Sequence, residues 1–259
     1  MIDGSASTAH IDALAIRFFP SRAALGAAAA ADAADLIGIA AEEKGEANLL
    51  LASGNSQLEF LAALRTMPDV GWRSVNIFHM DEYLGLAPGH PARFANFLRR
   101  ELLDFVRPKA FHPVLEGESD PEQAARDYTK LLRLFPIDVC VLGIGENGHL
   151  AFNDPPADFH DPVRLKTVEL AEDSRRQQVG EGHFATLAEV PRQALTLTVP
   201  ALLDAKRILA VVPEARKAAA VEGALRGPID PACPASILRA CPHAVLYLDA
   251  DSGAQVRGR

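Results

Sequence analysis

The stretch "IDVCVLGIGENGHLAFNDP", from Ile137 to Pro155, begins as a continuous apolar run and ends among glycines and titratable groups. A short continuous apolar run is typical of a strand that is covered on both faces, as in a parallel sheet. Gly143, Gly145 and Gly148 then allow the chain to turn sharply and to approach a ligand closely. The stretch therefore predicts a buried strand that delivers polar side chains to its carboxyl end.

The same alternation of apolar runs and helix-like segments extends along most of the chain. The strand-like runs are "NLLLASG", "VNIFHMDEY", "IDVCVLGIG", "RLKTVEL", "ALTLTV", "RILAVVP" and "AVLYLDA". Helical patterns lie between them in "SQLEFLAALRTM", "PARFANFLRRELLDFV", "PEQAARDYTKLLRLF" and "PEARKAAAVEGALRG". This order predicts an α/β fold with a doubly wound, mainly parallel, Rossmann-like sheet and helices on both faces. Since no linker-like tract interrupts it, we expect a single domain over residues 1–259.

The charge balance argues against general nucleic-acid binding. The chain carries a formal net charge of -8, whereas a protein that binds a nucleic-acid backbone needs a basic face. A phosphorylated small molecule would instead need a local positive site, set against the overall charge.

The cysteines and the first Ala-rich segment favour a cytoplasmic protein. Cys140, Cys233 and Cys241 fit neither a disulfide framework nor a common zinc spacing, and the apolar run around Cys140 predicts a buried thiol. The stretch "LGAAAAADAADLIGIAAEE" has no basic leader, and Asp32 and Asp35 interrupt it. We therefore expect an amphipathic helix that packs against the domain, and no membrane partner.

Ligands of open α/β sheets bind outside the carboxyl ends of the strands, so the residues that follow each strand are the candidates. After the first apolar run come Ser53, Gly54, Asn55 and Ser56, and Ser56 with Glu59 matches a capping box. This pattern predicts a helix amino terminus whose backbone N–H groups bind an anion. The plain alternative is an ordinary strand–turn–helix connection with a Ser cap.

The second strand end delivers two adjacent acids, Asp81 and Glu82. Adjacent residues on a strand point to opposite faces, so one carboxylate is expected to face a pocket while its neighbour serves the structure. His79 could share the face of Asp81, but a metal site would want further ligands, and we expect none. A solvated pair of acids is the plain alternative.

The third strand end is the Gly-rich loop of the opening stretch, which carries Asn147, His149 and Asp154. An imidazole takes and gives protons near neutral pH, and an acid partner orients it and stabilises its charged form. Leu150 and Phe152 look like apolar anchors that hold these polar groups at the surface. A Gly-framed His with an acid partner predicts a catalytic role for His149.

Taken together, these segments resemble the glucosamine-6-phosphate deaminase family of the wider sugar-phosphate isomerase and lactonase group. The resemblance rests on "MDEYLGL", "HPARF", "GIGENGHLAFNDP", "VPRQALTLTVPALLDAKRI" and "RKAAAVEGALRGPI", which follow one another in the right order. It implies a doubly wound α/β enzyme that converts glucosamine 6-phosphate and water to fructose 6-phosphate and ammonia without a cofactor. It implies a small sugar phosphate as the binding partner and leaves a homo-oligomer open.

The resemblance also implies roles for the residues of the last two strand ends. Asp81 would be the base that moves a proton from C2 to C1, and His149 would assist opening of the sugar ring. Asp154 stands where the family usually has a Glu that pairs with the His. Asn147 stands where members have Asp or Asn, and we group it with the catalytic residues.

Phosphate binding is implied for the first loop and for one lysine. The loop from Ser53 to Ser56 and Lys217, which follows "RILAVVP", would hold the phosphate, with the lysine adding a positive charge to the backbone N–H groups. Glu82 is also placed among the substrate-binding residues. Taken alone, Lys217 would be an ordinary solvated helix lysine.

The chain departs from the family pattern at three places. Asp154 is one methylene shorter than Glu, so its distance to the His must be closed by backbone movement or by water. The loop "SGNSQ" replaces two usual glycines and a proline. In "DSRRQQVGEGHFATLAEVP" the usual phosphate-binding Arg is missing: Gly182 falls at its position, and Arg175 or Arg176 is the candidate replacement. "QQVGEG" could instead shape a different sugar pocket, so we expect a divergent subgroup.

Two other functions stay open. A 6-phosphogluconolactonase also uses a Ser/Gly phosphate loop and a Gly-framed His, but it typically has Arg where this chain has Tyr83. A non-catalytic sugar-phosphate sensor usually follows a DNA-binding helix-turn-helix, for which about 20 residues before the first helix are too few. The presence of both Asp81 and His149 favours catalysis.

Overall fold

The fold is given by a computed structural model, which describes residues 7–117 and 120–257. In these residues the strands are β1 Ser7–Ile11, β2 Leu14–Phe18, β3 Ala47–Leu51, β4 Val75–His79, β5 Asp81–Tyr83, β6 Ala110–His112, β7 Val139–Leu142, β8 Leu165–Glu169, β9 Gln193–Leu197, β10 Arg207–Val212 and β11 Ala244–Leu248. The helices are α1 Arg22–Lys44, α2 Leu58–Leu64, α3 Phe94–Leu98, α4 Pro121–Leu134, α5 Glu172–Gly180, α6 Val199–Leu203 and α7 Ala218–Arg226. The prediction of a single domain over residues 1–259 stays a prediction.

The main sheet has eight strands in the order β1-β2-β11-β10-β7-β3-β4-β6. Every neighbouring pair is parallel except β1 and β2. From β3 the chain runs outward through β4 to β6, and from β7 it runs the other way through β10 to β11. The strand order therefore reverses between β3 and β7, and a crevice forms outside their carboxyl ends. The predicted doubly wound, mainly parallel sheet is confirmed.

Helices cover both faces of this sheet. Alternate residues of a strand therefore belong to different apolar clusters. On β3, Leu49 and Leu51 belong to the apolar cluster that contains buried residues of α1 and α2, whereas Leu50 belongs to the cluster that contains buried residues of α4, α6 and α7. All three side chains are at most 1% exposed, and burying each contributes about 1.5–3 kcal/mol. The continuous apolar run is thus explained by burial on both sides.

The Ala-rich α1 is a core helix. By length and composition alone it is apolar enough to cross a membrane, but Leu25, Ala29, Ala33 and Ile37 form a stripe that is at most 1% exposed against the sheet and α2. A Cβ added at Gly26 would lie 2.8 Å from Glu59 atoms on the α2 side of the contact. The expected packing of this helix against the domain is confirmed.

A second, three-stranded antiparallel sheet, ordered β5-β9-β8, was not predicted. The runs "RLKTVEL" and "ALTLTV" belong to it rather than to the parallel sheet, and "VNIFHMDEY" divides at Met80 into β4 and β5. One face of β8 is open to solvent, as is common for an antiparallel sheet. Between this sheet and α3 lies an aromatic cluster of Tyr83, Phe94, Phe152 and Phe184, which closes one side of the crevice.

Candidate active site

Three loops that are far apart in the chain meet in one cavity at the point where the strand order reverses. The loop after β3 contributes Ser53, Gly54 and Ser56, the start of β5 contributes Asp81, and the Gly-rich loop after β7 contributes His149. Four further polar side chains come from α5, from the residue just past its end and from the turn before α7, namely Gln177, Gln178, Glu181 and Lys217. The cavity therefore combines two carboxyl groups, an imidazole and an ammonium group.

Asp81 and Glu82 point to opposite sides of β5. Asp81 is 6% exposed and lines the cavity, whereas Glu82 is fully buried and accepts backbone N–H groups of Tyr83, Phe94 and Ala95, each at 3.0 Å. Glu82 thus holds the amino terminus of α3 and does not line the cavity. Its placement among the substrate-binding residues stays a prediction that this geometry does not favour.

The surroundings of Asp81 disfavour a negative charge on its carboxyl group. Burial, and then repulsion from Glu82, raise the pKa of Asp81 well above its ordinary value. Once ionised, a carboxylate with a raised pKa is a stronger base than an exposed Asp.

A serine hydroxyl lies between His149 and its acid. Ser174 Oγ, on the first turn of α5, is 3.0 Å from His149 Nδ1 and donates a hydrogen bond to Asp154. The direct distance from His149 Nδ1 to Asp154 Oδ1 is 3.4 Å. A side chain thus bridges the imidazole and the shorter acid, which was not predicted from the sequence.

Asp154 and Asn147 order this arrangement from outside the cavity. Asn147 donates to Asp154 at 3.0 Å and accepts the backbone N–H of His149 at 3.1 Å, while Asp154 also accepts the backbone N–H of Ala171 at 3.0 Å. Burial alone would raise the pKa of Asp154, but the hydrogen bonds and the His149 ring lower it below its ordinary range. Both residues therefore position His149, and the grouping of Asn147 and Asp154 with the catalytic residues stays a prediction.

The glycines of the opening stretch make room for the imidazole. A Cβ at Gly145 would lie 2.2 Å from the His149 ring, and Gly148 has φ +86° with Cys233 Sγ 3.1 Å from where its Cβ would lie. No other residue type fits either position without movement of its surroundings. This close packing answers why glycines frame a titratable residue.

The loop after β3 begins differently from the predicted capping box. Residues Asn55–Gln57 form a 3₁₀ turn, and α2 starts only at Leu58. Glu59 pairs with Arg22 at 2.9 Å instead of capping the helix. The predicted capping box is therefore wrong.

The loop nevertheless faces the cavity with Ser53, Gly54 and Ser56. Ser53 Oγ is buried and has no hydrogen-bond partner in the described part of the chain. The Asn55 side chain donates to the carbonyl of Glu181 at 2.9 Å, and the prediction that Asn55 binds substrate stays a prediction. Lys217, in a 3₁₀ turn before α7, is 2% exposed and lines the same cavity.

Neither candidate arginine reaches the cavity. Arg175 donates to the carbonyls of Leu187 and Val190 at 2.5 and 3.0 Å, which holds the loop before β9. Arg176 pairs with Glu172 on the surface of α5. The helix that carries them instead presents Gln177, Gln178 and, just past its end, a carboxylate to the cavity.

That carboxylate, Glu181, was missed by sequence reasoning, although the segment "QQVGEG" was marked as divergent. Its side chain is 5% exposed and lies 3.1 Å from Arg216 and 3.4 Å from His183 Nε2. Burial alone would raise the pKa of Glu181, but His183, Lys217, Arg216 and Gln177 lower it to about 2. The group is thus a stable negative charge inside the cavity.

Comparison with protein families identifies one matching family. The family model for glucosamine-6-phosphate isomerases and 6-phosphogluconolactonase matches residues 20–247. A glucosamine-6-phosphate deaminase of Exiguobacterium sibiricum is 34% identical over 202 residues, which is 78% of each chain. A glucosamine-6-phosphate deaminase of Hahella chejuensis is 33% identical over 223 residues, or 83% of each chain.

Solved structures show the same fold. A monomeric glucosamine-6-phosphate deaminase superimposes with a TM-score of 0.85 at 27% identity, over 93% of this chain and 99% of the other. A putative 6-phosphogluconolactonase of Neisseria gonorrhoeae has a TM-score of 0.71 at 22% identity, over 90% and 98% of the two chains, which shows the fold alone. Because the family model spans most of its length, the chain belongs to the family of glucosamine-6-phosphate isomerases and 6-phosphogluconolactonases.

Proposed function

We propose that the protein is an aldose–ketose isomerase with deaminase activity. Its substrate is an amino-sugar 6-phosphate: it converts glucosamine 6-phosphate and water to fructose 6-phosphate and ammonia. The observation that carries this proposal is the shared cavity of Asp81 and His149, with Lys217 at the same opening. The names of the relatives at 33–34% identity support the same reaction.

His149 is suited to assist ring opening. Because Ser174 donates its proton to Asp154, the serine oxygen accepts the proton on His149 Nδ1. The second ring nitrogen, Nε2, is then free to pass a proton to and from the sugar ring oxygen. Asp154 stabilises the positive charge that the imidazole carries during this transfer.

Asp81 is suited to the isomerisation step. In the open aldehyde the C2 proton is acidic, and the carboxylate takes it and returns it to C1, which gives an enolamine and then a ketimine. Water adds to the ketimine carbon and ammonia leaves, so atoms and charge balance without a redox change. A fixed strand terminus holds a single base within reach of two neighbouring carbons.

The phosphate is expected at the end of the cavity formed by Lys217, Ser53 and Ser56. The buried ammonium supplies charge, and the unpartnered Ser53 hydroxyl supplies a hydrogen-bond donor. We infer a small-molecule sugar phosphate as the partner. The cytoplasm is the compartment we infer, since Cys140, Cys233 and Cys241 are free thiols.

Lactone hydrolysis is the second candidate, since the family includes 6-phosphogluconolactonases. The aromatic cluster weighs against it. Tyr83 is 1% exposed among Phe94, Phe152 and Phe184, and an Arg in its place would bring a charge into an apolar cluster.

The test is a direct assay of the purified protein. We expect ammonia and fructose 6-phosphate from glucosamine 6-phosphate without added cofactor, and no hydrolysis of 6-phosphogluconolactone above the background rate. Lactone hydrolysis without ammonia release would reverse the assignment.

A further inference from the structure

The anion end of the cavity contains a carboxylate of its own. Glu181 lies just past the end of α5 and lines the cavity together with Ser53, Gly54 and Lys217. A Cβ at Gly54 would lie 3.6 Å from Glu181 Oε2, so the carboxylate stands directly against the loop that follows β3. Asn55 of the same loop holds the Glu181 carbonyl at 2.9 Å, which fixes the backbone there.

The cations of this end are already engaged without a ligand. Arg216 lies 3.1 Å from Glu181 and 3.3 Å from Glu146, and it also pairs with Glu214. Burial lowers the pKa of Lys217, and Glu181 is the carboxylate that does most to offset this loss. A phosphate dianion entering here would meet a fixed negative charge at close range in a partly buried site, where repulsion is strong.

We propose that Glu181 is a specificity-determining residue. Its carboxylate occupies the position that a phosphate would take and neutralises the cations that would bind the phosphate. A phosphate therefore binds only by displacing this carboxylate. This inference depends on the proposed function at one point only, namely that a phosphate group binds near Lys217. A free anion such as inorganic phosphate has little other binding energy with which to displace Glu181. A sugar phosphate gains further contacts near Asp81 and His149, so the device favours the complete substrate over small anions.

The structure offers the displaced carboxylate another position. A shallow surface hollow beside the cavity is lined by Glu181 and Arg216 together with Arg22. Arg216 is 28% exposed at this hollow, so its guanidinium can keep a displaced carboxylate paired at the rim. Glu181 lines both the cavity and this hollow, and Asn55 holds its backbone carbonyl, so the displacement we propose is a movement of the side chain.

Calorimetric titration with inorganic phosphate tests the proposal without turnover. We expect E181Q to bind phosphate at least roughly tenfold more tightly than the unmodified protein, because one negative charge is removed next to the ligand. E172Q is the matched control. It removes a carboxylate at the start of α5 whose side chain is 61% exposed and pairs with Arg176. The phosphate affinity of this variant should not change. Unchanged or weaker phosphate binding by E181Q would overturn the proposal.

A second variant guards against misfolding, and a second assay separates this inference from the proposed function. E181D keeps the negative charge but shortens the side chain by one methylene, so we expect its phosphate affinity to lie between those of the unmodified protein and E181Q. A phosphate affinity of E181D no higher than that of the unmodified protein contradicts the proposal. If E181Q tightens phosphate binding while no ammonia is released, the inference stands and the proposed function fails. If ammonia is released but both variants bind phosphate normally, only the inference fails.

Discussion

Ser174 and His149 are joined by a 3.0 Å contact between Oγ and Nδ1, and the same hydroxyl donates to Asp154. The pair connects two features that look unrelated in the sequence, a shortened acid in the Gly-rich loop and a divergent helix that follows β8. The serine hydroxyl contacts both the imidazole and the acid. The acid therefore still orients the imidazole, although it is 3.4 Å away.

Ser174→Ala should lower kcat by roughly tenfold or more with little change in KM, because the imidazole loses its orienting contact while the substrate site stays intact. Steady-state kinetics of ammonia release measure both constants. In the Ser174→Ala background, Asp154→Glu should restore activity, since the longer acid reaches Nδ1 directly. A double variant that is no better than the product of the two single losses would show that Ser174 does not act as the bridge.

Asp81→Asn should abolish exchange of the C2 proton with solvent and still increase the free energy of unfolding at neutral pH. The folded-state pKa of Asp81 is raised by burial and by Glu82. Above the unfolded pKa of about 3.9 the native protein therefore loses stability as pH rises, until the folded carboxyl has ionised. The neutral amide avoids this loss.

Thermal unfolding at pH 5 and pH 8 measures the effect. The Tm advantage of Asp81→Asn over the unmodified protein should grow toward pH 8 and reach at least roughly 2 °C. An equal Tm difference between Asp81→Asn and the unmodified protein at both pH values would show that the folded-state pKa of Asp81 is not raised, even if activity is lost.

Gly145→Ala should reduce kcat by roughly 100-fold, because a displacement of the imidazole by about 1 Å has an effect of this size. The new Cβ would lie 2.2, 2.3 and 2.4 Å from three atoms of the His149 ring, so the ring must move. Gly180→Ala is the matched control, since nothing lies within 4 Å of a Cβ there. Normal kcat for Gly145→Ala in ammonia-release kinetics would mean that the ring position does not limit the reaction.

The sequence was sufficient for the central parallel strands and for three of the loops around the cavity, because apolar runs mark strands buried on both faces and parallel strands bring their carboxyl ends to one edge. Asp81 and His149 follow directly from that rule. Ser174 and Glu181 do not, since they lie on and just past a helix that follows an antiparallel strand, and only tertiary packing turns this helix toward the cavity. The sequence also did not predict β1, β2 and β6 or the separate antiparallel sheet. The capping box failed because Glu59 found a partner in Arg22, far away in the chain.

Lys217→Met should raise KM for glucosamine 6-phosphate at least roughly tenfold, about 1.4 kcal/mol, with a smaller change in kcat. The ammonium is 2% exposed and lines the anion end, so its charge acts on the phosphate and not on the reacting carbons. Burial lowers the pKa of Lys217, which means that the charged form is disfavoured in the folded state. An apolar side chain of similar length relieves that cost, so the Tm should not fall. Lys130→Met, at a side chain that is 66% exposed, is the control for loss of charge alone. A raised KM in both variants, or in neither, would remove Lys217 from the phosphate site.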